Sequence, residues 1–512
     1  MGSLGLGTTE RRGEAFFVAI LLLVAAGIGL YLVATMTVIS RDGVYYIEWA
    51  QKFRQGVHVA SQERPFGYPL MIYLTHGLLA PLGKGSSTQM WILSAQLATL
   101  ASRVLSLLAI YLIGRHFVGP RTALLGLGAL IFLPDPARLG SDALRDWPAI
   151  LFLTVGFLLL IRADDRPGHY GWAGLVCGLG FMVRTETAQL LLYGLGWLAL
   201  GALGKGRTPR KVALRYAGLL LLGFAVPTVF YLWSRGGRLP YEFQLLFGGG
   251  QANGPIGDLS SWTADRLTVP AFASASFIHV PGADLVRKIL AQFGENLLWI
   301  YLPALVVGLV YRLPRRAGGQ ERFFISWAVG LAFVMFAVRY YRIGPEMSPR
   351  YVLPLLAILF FYVAVGLRVM GIVLQRRLRK CPRVRLWMRR CPVRWYVLLL
   401  VLGIVACFPK LFEPPRTDKL AYRQTADWLV ANTSAGARVA SEDSRICFYA
   451  QRQLGDNESG FDYAVRILKK NDPREIPAGW QVVYRAAIDA RGMDAVIVYQ
   501  TPERRSRTAG EQ

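Results

Sequence analysis

Cysteine is scarce, five in 512 residues: Cys177, Cys381, Cys391, Cys407 and Cys447. Two lie in apolar runs and two in a basic stretch, so neither a disulfide framework nor zinc-ligand spacing emerges. Acidic residues are few as well, 32 against 58 Lys and Arg, leaving a net charge of +26. Such an excess fits either nucleic acid as a partner or a membrane protein with positively charged cytoplasmic loops. No small-residue cleavage site follows the first apolar run, which is also longer than the roughly 7–15 residues of a signal-peptide core. It reads as a retained anchor.

Apolar residues make up 54% of the chain. Together with a positive mean hydropathy, that excludes a single soluble core and matches a polytopic membrane protein. Candidate spans are 16–38, 90–113, 119–134, 148–161, 170–184, 187–203, 213–234, 296–311, 323–340, 351–374 and 395–409. About 20 apolar residues cross a bilayer, and the shorter runs are tolerated where they line a cavity. The run 68–82 contains His76 and two prolines and is expected to re-enter or lie along the surface. Leaving it out of the count places the basic connections 115–121, 162–168, 205–215, 312–322 and 368–394 on one side, as the positive-inside rule requires. Nucleic acid is then not needed to explain the charge.

The expected fold is therefore mainly α: a membrane helical bundle of about eleven spans over 1–410, amino terminus cytoplasmic. An outer soluble domain follows over 411–512. There a helix at 418–431 and strand-like runs at 437–440, 446–450 and 495–499 suggest a small α/β module without a glycine-rich phosphate-binding fingerprint. Outer connections fall at 39–89, 135–147 and 235–295, and the last is long enough to be a lid.

Polar residues collect on the outer side. Asp42 follows the first span directly, and Tyr45, Trp49 and Phe53 then recur as an aromatic stripe with Glu48, Lys52 and Arg54 turned away, the pattern of an interfacial helix. Tyr46 accompanies Tyr45. Asp42 could equally serve as that helix's N-cap. Glu63-Arg64-Pro65-Phe66-Gly67-Tyr68-Pro69 fixes the backbone beside an arginine. Asp142 and Asp146-Trp147-Pro148 open a span, Asp146 being also a candidate cap. Arg184-Thr185-Glu186 joins two spans, where charges are costly unless paired or facing a polar cavity. Arg339, Arg342 and Glu346 precede Arg350-Tyr351-Val352-Leu353-Pro354.

In this order and on one side, these motifs resemble the GT-C superfamily of membrane glycosyltransferases, nearest to its protein O-mannosyltransferase and lipid A aminoarabinose transferase branch. The resemblance covers most of the membrane part. It rests on Asp42 with its tyrosines, Pro65 to Pro69, Asp146-x-Pro148, Arg184-x-Glu186 and Arg350-Tyr351-x-x-Pro354. It departs where Gly43 stands in place of a second first-loop acid, where Asp142 competes with Asp146, and where Thr185 replaces a proline.

The resemblance implies inverting transfer of a sugar from a polyprenyl-phosphate carrier to an extracytoplasmic glycan, lipid or protein hydroxyl. Asp42 is then the base, Asp146 the second acid, and Arg64, Arg184 and Arg350 bind the carrier phosphate, supported by Glu63, Tyr45, Tyr46, Glu186, Tyr351 and Asp142. No cofactor besides the donor is required, no metal ligands are assigned, and a divalent ion is left open. The setting is a bacterial plasma membrane, with membrane lipids as surroundings. The rival is a lipid or solute transporter or flippase, which calls for charges at span centres and repeated halves. Neither is found.

Overall fold

The computed structural model describes residues 8–56, 65–83, 87–164, 166–204, 209–237, 240, 282–343, 348–380, 394–455, 460–468, 479–488 and 494–501. Each of the eleven apolar segments contains a helix, although 297–301 of the expected span 296–311 is turn and bend and its helix begins at Leu302. They form Thr8–Thr35, Thr88–Val118, Pro120–Ile131, Asp146–Ile161, Gly168–Val183, Gln189–Leu203, Arg210–Ser234, Leu302–Arg312, Gly319–Ile343, the pair Leu353–Leu359 and Phe361–Leu378, and Trp395–Phe412. Among the described residues five helices are long and apolar enough to cross a membrane, or six if the last-named pair, bent by 52°, is one span. Length and composition alone thus support fewer crossings than eleven, because several segments are short. The 12-residue helix Pro120–Ile131 rises only about 18 Å against a hydrocarbon core of about 30 Å.

A packed interior runs between the helices, with Leu107, Ile131, Phe157, Leu160, Phe324, Ile358 and Tyr362 at its centre. The outer surface of the bundle is apolar too: Leu23, Leu203, Leu214 and Trp233 are 71–80% exposed. Helices apolar inside and out are at home in lipid, not water.

Polar contacts gather at the two ends. At one, Arg115 Nε pairs with Glu14 Oε1 at 3.1 Å. Arg312 pairs with Glu321 through Nε at 2.6 Å and Nη2 at 3.0 Å and also reaches the Phe117 carbonyl. Gln320 Nε2 donates to the Ile161 carbonyl at 2.9 Å, and Arg368 to Thr122 Oγ1. The basic connections after residues 115, 161, 312 and 368 therefore meet at a common end. Asp42, Asp146, Arg184 and Arg350 meet at the other.

The run 68–82 forms the helix Gly67–Leu79 and the turn Ala80–Leu82. It packs on Thr88–Val118, with the His76 ring stacked on Trp91 at 3.6 Å. Residues 241–281, most of the expected lid, lie outside the described residues. The helix Gly282–Asn296 follows them.

Beyond Phe412 comes a five-stranded sheet of order β2-β1-β3-β5-β4, from β1 (Arg438–Ser441), β2 (Gln453–Leu454), β3 (Tyr463–Leu468), β4 (Gln481–Ala487) and β5 (Ala495–Gln500). β1 runs parallel to β2 and β3, and β5 antiparallel to β3 and β4. Helix Leu420–Asn432 covers one face through Ala426 and Leu429, against Val439, Val465 and Val498. The expected strand at 446–450 is a helix, Ser444–Ala450. Asp443 caps it by accepting from the Arg445 amide, and Ile446, Cys447 and Ala450 bury one helical face.

Candidate active site

The first acid stands on a braced helix. Ser40, with extended backbone, accepts from the Gly43 amide and caps Arg41–Arg54, so Asp42 is not the cap. It lies in the first turn with its carboxylate free to face outward from the helix. Gly43 is required by close approach: a Cβ there would lie 2.8 Å from both Ala143 Cβ and the Ala143 carbonyl oxygen. That contact explains why no second acid follows Asp42. The aromatic stripe does not lie on lipid. Trp49 is buried with Phe66, Phe181, Met182 and Tyr231, and Tyr45 and Phe53 pack against this cluster. Tyr45 sits 4.5 Å from the Trp49 ring and 5.8 Å from Tyr46.

The second acid opens Asp146–Ile161. The cap position is taken by Arg145 and not by Asp146; Asp146 Oδ1 accepts from Arg184 Nη1 at 2.6 Å. Arg184 reaches it because its own backbone is extended (φ −154°, ψ 125°) between Gly168–Val183 and the turn Thr185–Ala188. Gly67 lets the helix that it starts approach this corner, since a Cβ there would meet the Met182 carbonyl at 2.6 Å. Arg184 Nε also pairs with Glu186 Oε1 at 3.0 Å.

Arg350 belongs to the turn Pro349–Tyr351, whose Pro349 carbonyl is held by Asn296 Nδ2 at 2.9 Å. Its Nη1 lies 3.0 Å from Asp42 Oδ2 and 4.0 Å from Asp146 Oδ2. The result is a continuous array, Asp42–Arg350–Asp146–Arg184–Glu186, built from four distant stretches of chain. Tyr351 carries the Arg339 guanidinium over its ring at 3.7 Å, with Arg184 at 5.8 Å.

Burial alone would lower the affinity of Arg184 for its proton, but Glu186 and Asp146 reverse this and hold it firmly charged. Burial likewise pushes the Glu186 carboxyl up, and Arg184 with Arg145 outweighs it, so Glu186 is held below its ordinary value. Arg350 is disfavoured by burial and held charged by Asp146 and Asp42. The two acids differ in mobility. Arg184 and Asp146 have side chains only 9% and 5% exposed, and breaking such a buried pair from one side costs about 3–5 kcal/mol. Arg350 and Asp42 are 30% and 39% exposed, where ion pairs are worth about 0–1 kcal/mol. Asp42 can be released; Asp146 is fixed.

Asp142 stands apart from this array. Its Oδ1 accepts from the amides of Ser40 at 3.0 Å and Ala143 at 2.8 Å, and its Oδ2 from Arg416. Glu63 and Arg64 lie outside the described residues. Sequence reasoning missed Arg145, whose guanidinium lies 6.0 Å from the Tyr46 ring, although its place beside Asp146 was a signal. It names Arg339 among the outer polar residues without a role, and does not reach Asn296, Arg416 or Tyr449, which nothing local marks.

A family model described as dolichyl-phosphate-mannose-protein mannosyltransferase matches residues 64–233. No curated protein matches the sequence. Among solved structures, ArnT from Cupriavidus metallidurans bound to undecaprenyl phosphate superposes with a TM-score of 0.57 at 16% identity, over 95% of this chain and 98% of that one. Its apo form gives 0.57 at 15%. The Archaeoglobus fulgidus oligosaccharyltransferase in its apo form gives 0.53 at 11% identity, over 88% of this chain and 69% of that one. Both proteins are GT-C glycosyltransferases. The chain has the GT-C fold. The family match contains Asp146, Arg184 and Glu186 but stops short of Asp42 and Arg350 on either side, so the fold brings a stretch from each side of the matched segment to the corner that the segment supplies.

Proposed function

We propose that the protein is an integral-membrane inverting glycosyltransferase. It transfers a hexosyl or pentosyl unit from a polyprenyl-phosphate carrier to an extracytoplasmic hydroxyl on a glycan, lipid or protein. The carrying observation is the array Asp42–Arg350–Asp146–Arg184–Glu186, which puts a half-exposed acid under a displaceable Arg350 beside the buried Arg184–Asp146 pair. The acceptor oxygen bonds to the sugar's anomeric carbon as the bond from that carbon to the phosphate oxygen breaks. The hydroxyl proton goes to Asp42, and the carrier leaves as polyprenyl phosphate. Arg350, drawn from Asp42 by the phosphate, stabilises the departing charge and frees the carboxylate in the same movement. Asp146 keeps Arg184 in place for the same anion. Arg64 is assigned to the phosphate on its sequence motif, and Tyr45, Tyr46 and Tyr351 to the sugar and its surroundings.

The sidedness is supported by the gathering of the basic connections at the end away from the array. We assign that end to the cytoplasm, the array and residues 411–512 to the outside of a plasma membrane, and eleven crossings to the bundle. The test is transfer by purified protein in lipid nanodiscs, given a panel of polyprenyl-phosphate sugars and an envelope extract as acceptor, with and without a chelator. Sugar transfer with inverted anomeric configuration supports the reading. Absence of both transfer and sugar release across the panel, with and without added divalent ions, overturns it.

A further inference from the structure

The strap 37–40 joins the first helix to the helix that carries Asp42, and belongs to neither a helix nor a strand. Its Val38, Ile39 and Ser40 are buried, so their backbone groups need partners. The far end of the chain supplies them. The Thr37 amide donates to the Pro415 carbonyl at 3.4 Å. Arg416 Nη1 donates to the Val38 carbonyl at 3.0 Å, and the Ile39 amide to Tyr449 Oη at 3.0 Å. The Ser40 amide donates to Asp142 Oδ1, whose other oxygen receives Arg416 Nη2.

We propose that Asp142, Arg416 and Tyr449 are positioning residues: the C-terminal unit and its linker grip the strap and so set where Asp42 stands. Ser40 is both the gripped residue and the cap of the helix that bears Asp42 two positions later, which makes the connection rigid. Asp142 is suited to this and not to proton transfer, because it is 2% exposed and both its oxygens are occupied. Arg416 has φ 60° and ψ 37°, a left-handed backbone uncommon for residues with a side chain. The guanidinium that bridges Val38 to Asp142 is the reason an arginine stands there. Tyr449 is steadied from its ring face by Arg423, 4.6 Å away.

The catalytic consequence rests on the transferase reading; the grip does not, and the test separates them. Full-length Arg416→Gln, Arg416→Lys, Asp142→Asn, Tyr449→Phe and the double variant Arg416→Gln/Asp142→Asn are compared in nanodiscs by transfer kinetics and by amide exchange over 37–47. A shift of about 1 Å at a reacting group can cost ~10²-fold. Arg416→Gln and Asp142→Asn should each lower kcat by about 10- to 100-fold with donor KM nearly unchanged, and the double variant should be no slower than the slower single one. Arg416→Lys should recover most of the rate. Tyr449→Phe, which removes only an acceptor, should speed exchange at Ile39. Unchanged exchange in Tyr449→Phe and Arg416→Gln would overturn the grip. So would an inactive Asp142→Asn beside a fully active Arg416→Gln, which would make Asp142 a base. If the wild type transfers no sugar, the transferase reading falls and exchange alone decides the grip.

Discussion

Arg350 Nη1 donates to Asp42 Oδ2 across 3.0 Å, joining residues 308 positions apart. The pair is partly open to solvent, so it holds the carboxylate weakly and in a defined direction. In the proposed mechanism the carrier phosphate takes the arginine and leaves the acid uncovered.

Asp42→Asn keeps the shape of the side chain and, because Ser40 supplies the cap, leaves the helix start intact. Thermal stability should therefore match the wild type. Turnover should fall by roughly 10²–10⁴-fold, equivalent to about 3–5 kcal/mol of barrier. Near-normal transfer by folded Asp42→Asn would move the base elsewhere in the array.

Arg184→Ala strands Asp146 and Glu186 without their common partner, and should cost about 3–5 kcal/mol of stability. The variant is expected to be thermally weak, not merely slow. Adding Asp146→Asn should restore part of the stability but none of the turnover. Recovery of turnover in the double variant would reduce the pair to a structural one.

Gly43→Ala should destabilise the protein by about 1–3 kcal/mol through overpacking against Ala143, and slow transfer by moving the Asp42 helix. Gly43→Glu, which restores the second first-loop acid of the resembling family, should be worse and not better. A faster Gly43→Glu enzyme would show that the contact with Ala143 is not limiting.

Burial pushes the Cys447 thiol up to about 12, so it stays protonated between pH 7 and 9 and its alkylation in folded protein should not rise over that range. Cys177 and Cys407 are buried as well. With the proposed sidedness, Cys381 and Cys391 should resist an impermeant maleimide in intact cells and react after permeabilisation. Labelling of those two before permeabilisation would invert the topology.

The helical segments were legible because long apolar runs leave few alternatives, and the basic connections sorted them into ends before any contact was known. The order of motifs also pointed to Asp42, Asp146, Arg184 and Arg350. What sequence could not tell was how each acid is held. Asp142 and Asp146 share a short stretch, and only contacts from elsewhere separate them: Arg184 and Arg350 take one, Arg416 the other. The aromatic stripe misled because periodicity reveals a face without naming what covers it; Trp49 meets Phe66 and Tyr231 instead of lipid. Residues 446–450 misled because a short apolar run fits strand and helix alike, and the cap at Asp443 decided it.

The Ile39 amide waits for an oxygen 410 residues downstream. At about 5–20 residues per second, a nascent chain spends roughly 20–80 s with its first membrane helix made and the Asp42 helix not yet fastened. Arg350 emerges before Tyr449, so the array can be assembled in outline while its anchor is still missing. Chains released between residues 350 and 415 carry every member of the array and still lack Arg416 and Tyr449, which hold the strap. Assembly of this protein ends where its first loop is secured.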